Sequence, residues 1–281
     1  MSDGLRRLAA AAVRGAAQVA GKTRVGRYFG EQSLALSMGR TAGIVHRGVE
    51  LQFVVPNGIN RFRVNTFATK EPETLEWIDR LPGDAVLWDV GANVGLYTCY
   101  AAKARGCRVF AFEPSVFNLE LLARNLQLNG LVDRVVIVPL PLSDRLAVST
   151  LGMTTVEWGG AMSKFGQSFG HDGEPLRAVF GFRTVGLSMT DAVRLLAIPK
   201  PDYIKMDVDG IEHLILSGGS DVLRQVTGVL IEVNDDFHKQ ATESARCLTD
   251  AGLVLVEKRQ AKMFEASVHK GSYNQIWHRS S

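Results

Sequence analysis

Two carboxylates bracket the first glycine-rich turn of this chain. Asp89-Val-Gly91-Ala-Asn93-Val-Gly95 follows the apolar run Val86–Val90, and Glu113 ends the next apolar run, Arg108–Phe112. Glycines between a strand and a helix permit a sharp bend and let a ligand lie against main-chain N–H groups. A turn built for a pyrophosphate has the pattern G-x-G-x-x-G. Here only Gly91 and Gly95 occur, and an acid precedes the first. A carboxylate at that place repels a pyrophosphate but suits the ammonium and sulfonium groups of S-adenosylmethionine. Glu113 stands where an acid accepts hydrogen bonds from both ribose hydroxyls, about twenty residues past the turn. Asp89, Gly91, Asn93, Gly95 and Glu113 are therefore the expected cofactor contacts. Ser143 and Asp144 follow the third apolar run, Val135–Leu140, and topology puts them beside the adenine, with Asp144 accepting from its amino group. An ordinary turn is the competing reading there.

A second cluster, Lys205, Asp207, Asp209 and Glu212, follows the run Tyr203–Met206. Open α/β sheets bind ligands at such strand ends. Alternation along an extended chain sets Lys205, Asp207 and Asp209 on one side. Methyl transfer to a hydroxyl, which the family resemblance named below implies, is an in-line displacement helped by alignment and needs a base or a metal at the acceptor. Two mechanisms fit. In the preferred one, Asp209 or His213 takes the hydroxyl proton while Lys205 steadies the oxyanion, and Asp207 contacts the amino group of the cofactor. In the other, Asp209, Glu232 and Asn234 hold Mg²⁺, a hard cation suited to oxygen ligands. A salt-bridge network joining Lys205 to Asp207 or Glu212, which merely orients the loop, is the alternative to both. Lys70, Glu71 and Thr74 are expected over the methionine end of the cofactor or in a plain capped helix, and Phe67 and Trp77 in the core.

The elements that must position these groups read as an alternating α/β pattern. Helical segments Gly95–Arg105, Ser115–Leu128, Ile211–Arg224 and Ala241–Ala251 separate the apolar runs already named from Gly228–Val233 and Leu253–Val256. Continuous apolar strands joined by helices imply a mostly parallel sheet covered on both faces. The expected fold is a Rossmann-like sheet of seven strands over residues 81–281. Gly152–Phe182 breaks the rhythm, with Gly159, Gly160, Gly166, Gly170 and Gly173 and the aromatics Trp158, Phe165 and Phe169 among its residues, and is expected to be a flap near the substrate, with His171 in reach of it. Residues 1–80 are expected to hold a helical leader, a β-hairpin turning at Pro56-Asn-Gly58 between Ile44–Val55 and Arg61–Val64, and a helix beginning at Glu71-Pro72.

These motifs closely resemble the FkbM-type methyltransferase family. The matching segments are Lys70–Ile78, Trp88–Tyr97, Ala111–Pro114, Leu142–Asp144, Ile204–Gly210 with Glu212, and Ile231–Asn234. The resemblance spans about residues 60 to 280 apart from the glycine-rich insertion, and Asp209 stands where the family usually shows Glu. It implies methyl transfer from S-adenosylmethionine, typically to a hydroxyl of a sugar, polyketide or other small metabolite. A nicotinamide oxidoreductase is disfavoured by the absent third glycine. An amine-directed N-methyltransferase is disfavoured because the fourth strand runs into Asp-Val-Asp-Gly. A non-catalytic cofactor-binding partner in a biosynthetic complex is the remaining alternative.

Bulk properties agree with one catalytic domain and an extension. The 281 residues are 46% hydrophobic and carry a formal net charge of +3, too small and dispersed an excess for a nucleic-acid partner. Three cysteines without C-x-x-C spacing point to a reduced, cytoplasmic protein rather than a disulfide or zinc framework. The apolar run Leu8–Val13 is too short to span a bilayer. Leu5–Val19 reads as an Ala-rich helix carrying Arg6, Arg7 and Arg14, and Ala supplies little apolar area for lying on a membrane. Weak peripheral contact is thus the lesser expectation and a frayed leader the greater one.

Overall fold

A computed structural model of the chain describes residues 3–170, 173–175, 177–260 and 270–279. Seven strands form the central sheet: β3 (Val86–Val90), β4 (Arg108–Phe112), β5 (Val135–Val138), β9 (Tyr203–Met206), β10 (Gly228–Asn234), β11 (Leu253–Arg259) and β12 (Ser272–Arg279). Their order is β11-β12-β10-β9-β3-β4-β5. The five strands from β10 to β5 run parallel, and β12 lies antiparallel between β10 and β11. This is the expected Rossmann-like methyltransferase sheet. Strand β12 is an addition, its polar start Ser272-Tyr-Asn-Gln having masked the strand pattern.

Alternation within the strands divides the core into two layers. Leu87, Val109 and Ala111 face a cluster with Tyr100 and Leu122 from helices α6 (Leu96–Arg105) and α7 (Val116–Leu128). Trp88, Val90, Phe110 and Phe112 face the opposite cluster with Ile204, Ile215 and Ile231. On that second side lie α8 (Met189–Leu196), α9 (Glu212–Ser217), α10 (Ser220–Leu223) and α11 (His238–Asp250). The single helix expected over Ile211–Arg224 is split at Gly218-Gly219. A Cβ at Gly218 would lie 2.6 Å from the Asp144 carbonyl oxygen and one at Gly219 2.4 Å from the Met189 sulfur, so the chain is pressed too closely against its neighbours for side chains there.

The N-terminal reading needs correction. The hairpin is β1 (Thr41–His46) with β2 (Val49–Val54), and it turns at Arg47-Gly48, both with positive φ, as a two-residue hairpin turn requires. Pro56-Asn-Gly58 instead opens a helix, α3 (Gly58–Asn65), whose N-cap Asn57 accepts from the Asn60 N–H. Short helix α4 (Phe67–Lys70) and then α5 (Pro72–Asp79) follow, the latter with Pro72 in its first turn as anticipated. Leu51, Phe53, Phe67, Leu75 and Trp77 join the first core layer. Helices α1 (Asp3–Ala20) and α2 (Arg24–Met38) precede them. The sequence reading contained only the first of the two.

The glycine-rich insertion also acquires structure. Strands β6 (Ala147–Met153), β7 (Ser163–Phe165) and β8 (Phe180–Gly186) make an antiparallel sheet in the order β7-β6-β8. His171, expected in the flap, lies outside the described residues.

Candidate active site

The strand order reverses between β3 and β9, and a crevice opens at the carboxyl ends of β3, β4 and β9, as such sheets require. The backbone of the glycine turn rests on the loop after β9. Gly91 has φ +85, and a Cβ there would lie 1.9 Å from the Asp207 carbonyl oxygen. Only glycine allows both the turn and that approach.

The crevice holds about 560 Å³ of empty space, its open mouth included. Phe112, Pro114, Leu142, Ile211 and Ile215 give it an apolar wall, and Glu113 gives it a carboxylate. Glu113 Oε2 accepts from the Asn93 N–H and Oε1 from the Ser115 N–H, each at 2.8 Å. Burial pushes its carboxyl up to about 7 despite those hydrogen bonds. An apolar slot edged by the carboxylates of Glu113, Asp207 and Asp209, with no cationic side chain among the described residues of its wall, fits an adenosine rather than a phosphate-bearing nucleotide.

A second cavity, about 1300 Å³ including its open mouth, lies against the first. Ile59, Phe62, Arg63, Lys70, Thr155 and Glu232 belong to its own wall. The two share Gly91, Asn93, Gly160, Met162, Asp207 and Asp209. Asp207 and Asp209 therefore stand at the junction. Asp209 has φ +62 and is followed by Gly210 at φ +113, which turns the chain sharply after Asp207. Glu212 holds this turn by accepting from the Val208 and Gly210 N–H groups. It also accepts from Gln240.

Charges beneath the junction are tightly matched. Lys205 Nζ lies 3.4 Å from Asp207 Oδ2 and 3.7 Å from Asp89 Oδ1, and 5.3 Å from the centre of the Tyr97 ring. Burial alone would lower the Lys205 ammonium, but Asp207, Asp89 and Glu71 outweigh it and hold the group well above its usual range. Asp207 is held low, burial being overcome by Lys205 and Lys70. Glu232 is pushed well up, first by burial and then by Asp207 and Glu71, and its side chain hydrogen-bonds with Asp207.

The expected flap lies over this junction. Asn57 and Asn60 donate to the Trp158 carbonyl, and Arg63 donates twice to that of Gly159. Asn93 and Asn118 both donate to the Gly160 carbonyl. The Met162 N–H donates to Asp209 Oδ2 at 2.7 Å. Gly160 and Met162 belong to the expected flap, whereas Asn118 is a wall residue with no signal in the sequence, because nothing in a sequence tells which glycine-rich carbonyls will meet which asparagines.

Several expected residues take other places. His213 is buried against Phe237, its ring nitrogens have no hydrogen-bond partner among the described residues, and it lines neither cavity. Burial and Lys239 lower its imidazole to about 4. Asp89 is also absent from the walls, lying under the turn with Thr98 and Lys205. Gly95 packs against Leu122 rather than the crevice. The Ser143 N–H bonds the Leu187 carbonyl, Asp144 pairs with Arg145, and it is Leu140, Pro141 and Leu142 that line the crevice. For the Mg²⁺ alternative, Asn234 accepts from the Asp236 N–H inside its own turn. Among the described residues no group of three or more His, Cys, Asp or Glu could hold a metal. The salt-bridge network exists, but it joins Lys205 to Asp207 and Asp89 rather than to Glu212.

Sheet order, crevice and acidic junction define a Rossmann-like methyltransferase. The profile of the methyltransferase FkbM domain matches residues 89–252, more than half of the chain, and the protein belongs to that family. It is 26% identical over 188 residues to the hexuronic acid methyltransferase AglP of Haloferax volcanii, a match covering 66% of this chain and 72% of that protein. It is 27% identical over 201 residues to the AMB antimetabolite synthetase AmbE of Pseudomonas aeruginosa, across 60% of this chain but only 9% of that much longer protein. Among solved structures it is similar to a precorrin-6y C5,15-methyltransferase of Geobacter metallireducens, with a TM-score of 0.43, 18% identity, and coverage of 75% of this chain and 87% of that one.

Proposed function

We propose that this methyltransferase uses S-adenosylmethionine to methylate a hydroxyl oxygen of a small metabolite, a sugar being the favoured acceptor. The observation behind this reading is the shared wall. One cavity suits adenosine, the other mixes Arg63 and Lys70 with carboxylates as a polyhydroxylated acceptor needs, and they meet at Asp207 and Asp209. S-adenosylmethionine, when bound, supplies an electrophilic methyl on a sulfonium. Glu113 accepts from the ribose hydroxyls. Asp207, kept ionised by Lys205, holds the cofactor's ammonium, and Lys70 and Glu71 close that end. Asp209 accepts the acceptor's hydroxyl proton while the oxygen forms its bond to the methyl carbon. The departing sulfur would keep the electron pair of the carbon–sulfur bond. The flap residues Trp158–Met162 exclude water from this junction. Lys205 lines neither of these two cavities, so its part is to fix the Asp207 carboxylate rather than to touch the oxyanion, and His213 has no part in proton transfer. The sugar assignment draws on the relative named a hexuronic acid methyltransferase.

Free cysteines, two of them buried, suit a cytoplasmic setting. The test is incubation with methyl-labelled S-adenosylmethionine and a panel of neutral sugars, uronates, polyketide alcohols and amines, with products identified by mass spectrometry. Label on an oxygen supports the reading. Label on nitrogen alone, or cofactor binding with no turnover across the panel, overturns it.

A further inference from the structure

The helix that the sequence reading lacked changes the weight of the membrane question. Alone, α1 offers Leu5, Leu8 and Val19 on one stripe with small alanines between them. Helix α2 adds Val25, Phe29 and Leu36, at spacings that place them along one helix face. None of the six is covered: Leu8 is 73% exposed, Val25 80%, Phe29 70% and Leu36 69%. The two helices meet each other at a tight turn capped by Thr23, and Met38 alone of α2 is buried in the body of the protein. Two successive helices that each leave a stripe of large apolar side chains uncovered mark a surface with a partner.

Charge says what covers it. Residues 1–40 hold seven Lys or Arg against two Asp or Glu, a net +5 in a chain whose total is +3, so the remainder carries −2. Arg14, Lys22, Arg24, Arg27 and Arg40 are all exposed. A second copy would bring a further +5 against this surface and be repelled, whereas an anionic bilayer is attracted to it. Long basic side chains can also lie along apolar surface while their charges reach lipid phosphates. No helix among the described residues is long and apolar enough to cross a membrane, so the fitting geometry is a helix pair lying in the interface.

We propose that α1 and α2 form a docking element for the surface of an anionic phospholipid bilayer. Its apolar side chains enter the acyl boundary and its basic residues bind lipid phosphates. The inference is independent of the chemistry at the crevice, since none of these residues lines it.

The experiment is co-sedimentation of the full chain with vesicles of phosphatidylcholine alone or mixed with phosphatidylglycerol, at about 0.1 M salt and again where the Debye length is about 3 Å. Binding is expected only to the anionic vesicles and is expected to be released by salt. The double variant Phe29→Ser with Leu36→Ser should lower partitioning by about tenfold or more, with an unchanged melting temperature because both side chains are exposed. Arg24→Glu with Arg27→Glu should do the same through charge. Equal recovery from both vesicle types, or binding indifferent to both double variants, overturns the proposal. A concentration-dependent dimer that Phe29→Ser with Leu36→Ser dissociates, without vesicle binding, assigns the face to a second copy and overturns it also.

Discussion

Glu113 and Asp209 sit on opposite sides of the same junction and answer to different measurements. Replacing Glu113 with Ala should weaken S-adenosylmethionine binding by about 1–3 kcal/mol, the scale of lost charged hydrogen bonds; calorimetry checks it. Because the free protein holds this carboxyl up near 7, it is protonated below that pH and ionised above it. Cofactor affinity should therefore rise between about pH 6 and pH 8, and the rise should vanish in Glu113→Gln. Asp209→Asn keeps an oxygen to accept from Met162 but no longer a base. Turnover should fall about 10²- to 10⁴-fold with cofactor affinity nearly unchanged, and equal losses in both would move Asp209 into the cofactor pocket. His213 makes the opposite case. Its lowered pKa, about 4, lies below the unfolded value, so the unfolded chain binds more protons between about 4 and 6.5. Stability is present above that window and is lost as pH falls through it. His213→Leu should leave turnover at the wild-type level and flatten the acid limb of the melting curve.

At the scale of elements, the flap is the part whose removal should cost most for the fewest atoms. Asn118 on α7 donates to the Gly160 carbonyl and accepts from the Gly159 N–H. Asn118→Ala should release about 1–2 kcal/mol of local stability, read as faster amide exchange over residues 158–162 and a lower kcat. Exchange unchanged from wild type would mean that the flap is held elsewhere. The same flap shows how far elements were legible. Its presence followed from the break in strand–helix rhythm, but its three-stranded sheet did not, because pairing between β6 and β8 joins residues separated by a long insertion. Pro56-Asn-Gly58 carries turn chemistry that serves a hairpin and a helix N-terminus alike. Asn57 capping α3 decided for the helix.

Across the whole molecule, the crevice exists because the chain steps from β5 back to β9 on the other side of β3, leaving the ends of β3 and β9 side by side without a crossover above them. The hairpin, α3 and α5 share a core layer with the sheet, so the part from residue 41 onward should unfold together. With S-adenosylmethionine at about a hundred times its Kd, that transition should gain about 2.7 kcal/mol as a single step. A split transition in which only one part responds would separate the hairpin from the sheet.

Local periodicity and turn chemistry were enough to read the parallel strands, the glycine turn and the acidic ends of β4 and β9, because each is written in neighbouring residues. What needed the folded chain was which of those groups reach open space. Asp89 and His213 bear the right chemistry, yet adjacent layers of packing bury both away from the junction. Asn118, Arg63 and Glu232 come to it from far along the chain, since a cavity wall is assembled by contacts between distant segments and no short stretch of residues encodes it.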